Sequence, residues 1–304
     1  MFEASKIMFI YCVSPVHMGA GQAIGVIDNP IQRERHTNHP NMAGSGLKGA
    51  LRHHLEAAWG DKPLVARLFG PETDASDFAG AVSFGDAQLV AFPVRSLRQA
   101  FVYAVSPVGL ARLKRLAEIG GAKVEWTVPE PVPDGALVAD DRVLNDARLV
   151  LEAFEFAAEK PPEIRSIAKW LARNALPADD ANAYFRGKIE KDLVLLPDGA
   201  FSHFVENATV VEPHVRIDDD SGTAADGGLF YTENLPPESL LAAPVFASIE
   251  RVPRSGGREE RKSAAEIMTL LADGPEGTRG LDGALLQIGG DATTGRGQVL
   301  LHFT

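Results

Sequence analysis

The chain has 304 residues, 45% hydrophobic and 23% charged, an ordinary globular composition long enough for one elaborated domain or two. No run of about 18 apolar residues exists to span a membrane, and the single cysteine, Cys12, excludes an internal disulfide and a cysteine zinc cage. The formal net charge of −11 counts against indiscriminate nucleic-acid binding, because that affinity comes from neutralising phosphates with Lys and Arg.

In chain order, residues 6–13 are apolar and β-rich and predict a first strand; the alternation there and the lack of a basic leader argue against a signal peptide, so the expected location is cytoplasmic. Residues 16–43 form a long connection rich in glycine and proline, the kind that is functional or mobile in a compact domain. Ser45 is placed to cap the helix that follows, where Leu47, Leu51 and Leu55 repeat on one side and Lys48 and Arg52 lie four apart on another. Residues 80–94 and 101–105 read as extended, and Pro107 starts a second helix. A proline-rich excursion, 128–135, precedes a strand at 148–156 and a helix at 163–175. Strands are expected at 193–196, 209–217 and 228–233, the last two flanking a polar tip, 218–227, with nothing to anchor it on a core. A strand at 240–249, a charged loop at 254–262, a helix at 264–271 and strands at 284–288 and 298–303 complete the chain. The β–α–β opening and α–β close suit an α+β fold, a ferredoxin-like or RRM-like palm with large insertions, as a single domain over 1–304.

Charge is segregated. Residues 29–55 contain Arg33, Arg35, Lys48, Arg52 and four histidines against Glu34 alone, and residues 95–115 hold five basic residues and no acid. Acid gathers at Asp140-Asp141, Asp179-Asp180, Asp218 to Asp220 and Glu259-Glu260. Two basic stripes on an acidic chain fit a protein that grips nucleic acid on one face; chance segregation on the surface fits as well. Asp28 opens the first stripe and His17 lies upstream of it. A carboxylate beside cations and a glycine-bracketed helix start is what phosphodiester chemistry on RNA requires, although an aspartate before a proline turn is also common.

Gly44-Ser45-Gly46-Leu47-Lys48-Gly49 matches G-x-G-x-x-G, but no strand precedes it, so a dinucleotide site is rejected. What remains is a helix start whose amides and Lys48 favour an anion, or a plain glycine-rich cap. The run 289–297, GGDATTGRG, departs from a Walker A loop where Lys and Ser or Thr are required. Its glycines permit close approach of a backbone or ligand, or form a wide hairpin turn. Phe230 and Tyr231 follow the polar tip and would either stack on bases or pack the hairpin onto the core. Eight histidines without ligand spacing give no zinc site.

Four segments, SPVHMGAGQAIGVIDNPIQRERHTNHPNMAGSGLKGALR, FPVRSLRQAFVYAVSP, GGLFYTENLPPESL and LQIGGDATTGRG, together resemble the RAMP superfamily, specifically the repeating backbone subunits of type III-B CRISPR (Cmr) effector complexes. The first is highly specific; the glycine loop is shared across the superfamily. The resemblance implies copies of the chain stacked head-to-tail along a CRISPR guide RNA, beside other subunits of the complex and with no membrane partner. A thumb at about 209–235 would splay the complementary target RNA, and a catalytic loop at about 16–43 would cut it at regular intervals. It puts the catalytic aspartate on Asp28 and a supporting histidine on His17. Lys48, Arg33, Arg35, Ser45, Gly46, Arg52, Gly290, Gly295 and Arg296 fall in RNA-binding positions, and Phe230, Tyr231 and Glu233 on the thumb. Thr232 stands where some relatives carry an acid, which puts a catalytic role for that strand in question. The resemblance also implies a divalent metal, Mg or Mn, for cleavage, held transiently by Asp28, and no tightly bound structural metal. A non-catalytic RNA-binding scaffold of the same kind of complex is the alternative.

Overall fold

The computed structural model describes residues 2–21, 25–72, 78–251 and 261–304. The first half of the chain forms β1 (Ala4–Cys12), β2 (Asn41–Met42), α1 (Gly44–Trp59), α2 (Lys62–Phe69), β3 (Val82–Phe84), β4 (Ala87–Arg95), β5 (Phe101–Val105), α3 (Pro107–Ile119), β6 (Gly135–Val138), β7 (Leu144–Asn145) and β8 (Arg148–Leu151). The second half forms β9 (Phe154–Glu159), α4 (Pro162–Asn174), α5 (Ala183–Asp192), β10 (Leu193–Leu195), α6 (Asp198–Asn207), β11 (Val210–Ile217), β12 (Ala224–Asn234), β13 (Leu240–Ala247), α7 (Ala264–Asp273), β14 (Leu285–Gln287) and β15 (Gln298–Phe303).

β1 sets the layering. Successive side chains of a strand point to opposite faces. Met8, Ile10 and Cys12 enter one core with α1, α2, α6 and α7, while Ile7, Phe9 and Tyr11 enter a second with α3, α4 and α5. A strand apolar on both sides must be covered on both sides. At the centre of the 13-stranded sheet the order is β15-β1-β13-β4, each neighbour antiparallel. With α1 and α2 between β1 and β4, and α7 between β13 and β15, this is a ferredoxin-like split βαβ palm. Everything from residue 96 to 239 is inserted between two of its strands. The insertion extends the sheet through β5-β10-β6-β9-β8-β7 and places α3, α4 and α5 on the second face. The expected fold class, α+β with a ferredoxin-like palm and large insertions, is met.

In α1, Leu47, Leu51 and Leu55 recur every four residues and are fully buried; burial of one such side chain is worth about 1.5–3 kcal/mol. Several local expectations are corrected. The cap of α1 is Ala43, without a side-chain hydrogen bond, and Ser45 sits inside the first turn, exposed. The amide of Gly44 is taken by Asp86 Oδ1 at 2.7 Å, from the turn between β3 and β4. Residues 148–156 form two strands, β8 and β9, because Glu152 takes a left-handed φ of 51° and turns the chain back. The polar tip is shorter than expected, since Ala224 pairs with Ile217 and β12 starts there. The charged loop at 254–262 falls mostly outside the described residues. No described helix is long and apolar enough to cross a membrane.

Candidate active site

Among the described strands β11 and β12 pair with each other, as a two-stranded sheet separate from the large one. The register sets Val215 opposite Leu229 and Pro213 opposite Tyr231 on one face, and His214 opposite Phe230 on the other. Val215, Leu229 and Tyr231 are exposed, so this face of the hairpin is apolar and uncovered among the described residues. Phe230 stacks on His214, with centroids 5.1 Å apart, rather than packing into either core. The inner end of the hairpin is different: Thr232, Glu233 and Asn234 are buried.

The loop after β1 runs along the outer edge of that inner end. Val16 and Leu235 exchange backbone hydrogen bonds at 2.9 Å. His17 Nδ1 lies 2.8 Å from the Glu233 carbonyl; a carbonyl only accepts, so the nitrogen carries the proton and a neutral ring presents Nε2 as a lone pair. After residues 22–24, which lie outside the described set, the loop returns. Asn29 N donates to the Tyr231 carbonyl at 3.0 Å, and Glu233 N donates to the Asn29 carbonyl at 2.9 Å. The Tyr231 amide donates to Asp28 Oδ2 at 2.7 Å. Asp28 and His17 are thus anchored on β12 residues two apart, ~7 Å along a strand. Asp28 is exposed, and its Oδ1 has no partner among the described residues.

Glu233 organises this junction from below. Its Oε1 accepts from Arg33 at 2.6 Å and from Thr209 at 2.8 Å, and its Oε2 from the Ile31 amide at 3.0 Å. Arg33 also donates to the carbonyls of Asn38 and Val205. The next residue, Glu34, accepts from Arg112 of α3 at 2.8 Å and from Thr37 at 2.6 Å, while Arg112 also donates to His36 Nε2 at 2.7 Å. Burial pushes the Glu34 carboxyl up, but the Thr37 and Arg112 donors outweigh it and hold it below its ordinary value. His39 closes the turn on Ser202 of α6 at 3.0 Å.

The glycine-rich segment 289–297 abuts the same site. The Gly290 amide donates to the His17 carbonyl at 2.9 Å, and that of Gly297 to the Pro15 carbonyl at 2.8 Å. Gly289 must be glycine: φ is 88°, and a Cβ there would stand 2.4 Å from the His17 carbonyl oxygen. Arg296 binds both oxygens of Glu212 on β11, at 2.6 and 2.7 Å, tying this segment to the hairpin. A Cβ on Gly46 would meet Met18 Cε at 3.2 Å, so the start of α1 also borders the site.

The expected site residues therefore divide. The structure gathers His17, Asp28, Arg33, Tyr231, Glu233 and Gly290 at one junction. Arg33, Arg52 and Arg296 are committed to carboxylates, Arg52 to Glu56 at 2.8 Å and Glu72 at 3.6 Å. The Gly290 amide is committed to His17, whereas Gly295, at φ 79°, borders open space. Arg35 is exposed and Lys48 half-buried, and neither has an acidic partner among the described residues. Burial of the ammonium, then the Arg52 charge, holds the Lys48 pKa below its ordinary value, the situation a bound anion relieves. The reading from sequence missed Glu212, Asp86 and Arg112. Asp86 holds Gly44, Arg112 holds Glu34 and Glu212 holds Arg296, across 42, 78 and 84 residues, so no local spacing signals these contacts.

No cluster of three or more His, Cys, Asp or Glu side chains that could hold a metal occurs among the described residues. One exposed carboxylate does not make a resident site. It does suit Mg, which keeps several waters and binds through one or two carboxylates plus substrate phosphates.

A family model described as the RAMP superfamily matches residues 9–300. The chain is 34% identical over 294 residues to the CRISPR system Cmr endoribonuclease Cmr4 of Pyrococcus furiosus, across 95% of this chain and 92% of that one. It is 25% identical over 260 residues to the CRISPR system CMR subunit Cmr4 of Saccharolobus solfataricus, across 80% and 84% of the two chains. Among solved structures, oligomeric Cmr4 from Pyrococcus furiosus superposes with a TM-score of 0.73 at 27% identity, covering 99% of this chain and 97% of that one. A subunit of a type III-B Cmr-beta complex shares the fold at 19% identity with a TM-score of 0.70, covering 99% of this chain and 97% of that one.

Proposed function

The chain belongs to the RAMP superfamily and, within it, to the Cmr4 family, and on that premise we propose that it is the repeating backbone subunit of an RNA-guided effector complex and cuts complementary target RNA with Asp28. Copies of the chain line a guide RNA together with other subunits of the complex, and each hairpin opens the guide–target duplex beside a cutting site. The observation that carries this reading is the placement of Asp28: its carboxylate is exposed at the root of the hairpin, with one oxygen fixed by the Tyr231 amide and the other without a partner among the described residues.

Cleavage needs the ribose 2′-OH brought in line with its own phosphorus, which stacked A-form geometry resists. The uncovered apolar face at Val215, Leu229 and Tyr231 is suited to slip between bases. Holding the strand in a near-attack geometry supplies ~7–11 kcal/mol of barrier reduction. Asp28 Oδ1 accepts the 2′-OH proton or binds a divalent ion, and His17 Nε2 lies on the same edge to accept a hydrogen bond or, protonated, to stabilise charge on the phosphate. A Mg or Mn ion, if engaged, would be held by Asp28 and substrate oxygens, and would supply charge neutralisation. The products are a 2′,3′-cyclic phosphate and a 5′-OH. Lys48 and Arg35 contact the RNA backbone, while Arg33, Arg52 and Arg296 act through the protein scaffold.

Asp28→Ala tests this in the reconstituted complex. Guide and target binding should be retained, while single-turnover target cleavage falls by roughly 10²–10⁴-fold. Cleavage at the wild-type rate would assign the chemistry to another group. Comparing magnesium with EDTA separates the metal role of Asp28 from its role as a base.

A further inference from the structure

Arg296 stands two residues before β15, a strand paired with β1 at the centre of the sheet, and its guanidinium reaches the hairpin. It donates to both oxygens of Glu212 on β11, at 2.6 and 2.7 Å, and the Asn234 side-chain amide donates to the same carboxylate at 3.2 Å. Among the described residues this is the one polar contact that joins β11 to anything outside the hairpin. The other ties run along β12: Leu235 to Val16, the Glu233 carbonyl to His17, Tyr231 to Asp28 and Asn29, and the Glu233 carboxylate to Ile31 and Arg33.

A hairpin held along one strand only can rotate about that strand. Glu212 and Thr232 stand opposite each other in the register and share a face with His214 and Phe230. The ion pair therefore grips the hairpin on the face away from exposed Val215, Leu229 and Tyr231. The segment that carries Arg296 also holds the backbone of the cutting loop, through the Gly297 amide to the Pro15 carbonyl at 2.8 Å and the Gly290 amide to the His17 carbonyl at 2.9 Å. One segment thus sets both the hairpin angle and the path of the chain at His17. Side-chain exposures of 26% and 28% make Arg296 and Glu212 a partly solvated pair, which adds little to global stability. Its consequence is geometric.

We propose that Arg296 is a positioning residue for target cleavage: through Glu212 it sets the angle of the hairpin over the cutting loop, so that the apolar face opens the duplex at the nucleotide whose 2′-OH reaches Asp28. This rests on the reading of Asp28 as the cutting group. The guanidinium acts on the protein and not on RNA. A phosphate contact, the role its place beside the glycine loop suggests, has opposite consequences. If Arg296 gripped phosphate, Glu212 would compete with the guide, and its removal would tighten binding. If the pair is a brace, removing either partner leaves binding alone and slows cutting.

Arg296→Met and Glu212→Gln in the reconstituted complex are the test, with single-turnover rate at saturating target, target affinity and Tm measured on each. Both variants should slow cleavage roughly ten- to a hundredfold, with affinity and its salt slope unchanged and Tm nearly so. The reversed pair, Arg296→Glu with Glu212→Arg, should recover most of the lost rate, which a lost guide contact cannot do. Amide hydrogen exchange of the RNA-free protein reads the brace without any cutting: residues 229–235 should exchange faster in both single variants and return towards wild type in the reversed pair. Wild-type cleavage rates in the single variants, or a reversed pair no faster than Arg296→Glu alone, overturn the proposal. So does a salt slope lowered by ~1 in Arg296→Met together with tighter guide binding in Glu212→Gln, which makes Arg296 a phosphate contact. Should Asp28→Asn cut normally, the reading of Asp28 fails by itself. Exchange then decides the brace: faster exchange in the single variants supports it, and unchanged exchange overturns it.

Discussion

The two halves of the loop at the hairpin root are built in opposite ways. Residues 31–40 are fixed by side chains reaching three elements: Arg33 to Glu233 of β12, Glu34 to Arg112 of α3, and His39 to Ser202 of α6. Residues 25–30 are held by main-chain bonds at Asn29 and Pro30, by one oxygen of Asp28 and by a long 3.4 Å contact from Asn29 Nδ2 to the Thr232 hydroxyl. The first half spends its charges on the protein. The second keeps its reactive group at the surface. Density of arginine is therefore a poor measure of affinity for phosphate: the segment reads as a grip on RNA, yet its most basic residue in the interior, Arg33, is structural.

The contrast breaks first at Glu233. Glu233→Ala leaves the half-buried Arg33 without its counter-charge, which costs up to about 3–5 kcal/mol and should lower Tm by roughly 10 °C. Cleavage should fall with it, because the loop and β12 lose their shared anchor. A variant with unchanged Tm would show that the side-chain half of the loop does not need this hub.

A smaller effect is expected at Lys48, the half-buried cation with no acidic partner. Lys48→Ala should leave Tm nearly unchanged, weaken RNA binding to a similar degree for all sequences, and reduce the slope of log affinity against log salt by ~1. An unaltered slope would return Lys48 to the scaffold group with Arg33 and Arg52.

The smallest effect concerns Glu238, at the turn from β12 into β13, where it takes a left-handed φ of 68° and accepts a hydrogen bond from Tyr11. Burial pushes its carboxyl from an ordinary 4.5 up to about 7, although the Tyr11 hydroxyl favours the charged form. Between those values the folded protein holds a proton that the unfolded chain has released. The destabilising contribution therefore grows as pH rises from 4.5 towards 7 and is complete above that. Glu238→Gln should flatten the fall of Tm over this range and raise Tm at alkaline pH. An unchanged Tm–pH profile would mean the charged form is fully accommodated.

Sequence patterning reached most of the palm, because its elements are periodic: β1 alternates and α1 carries leucines four apart. It missed α2, α5 and α6. α5 has little amphipathic stripe to detect, since its buried positions include Lys188 and Asp192, which pair with each other at 2.6 Å. At the candidate site, the motif around Asp28 was legible because it is local and specific. The commitments of Arg33, Arg52 and Arg296 were not, since a sequence gives the charge of an arginine and not its partner. Glu233 was noticed only as a thumb residue. Its buried role depends on contacts to residues 24 to 202 positions away in the chain.

Asp28→Asn in the assembled complex is the most direct measurement. Asparagine keeps the size of the side chain and a carbonyl oxygen to accept from the Tyr231 amide, so the loop stays in place while the charge is removed. Unchanged Tm and target affinity, with single-turnover cleavage reduced by at least about a hundredfold, is the predicted result. Cleavage at the wild-type rate, with the same cyclic-phosphate ends, would contradict the assignment of the chemistry to this carboxylate.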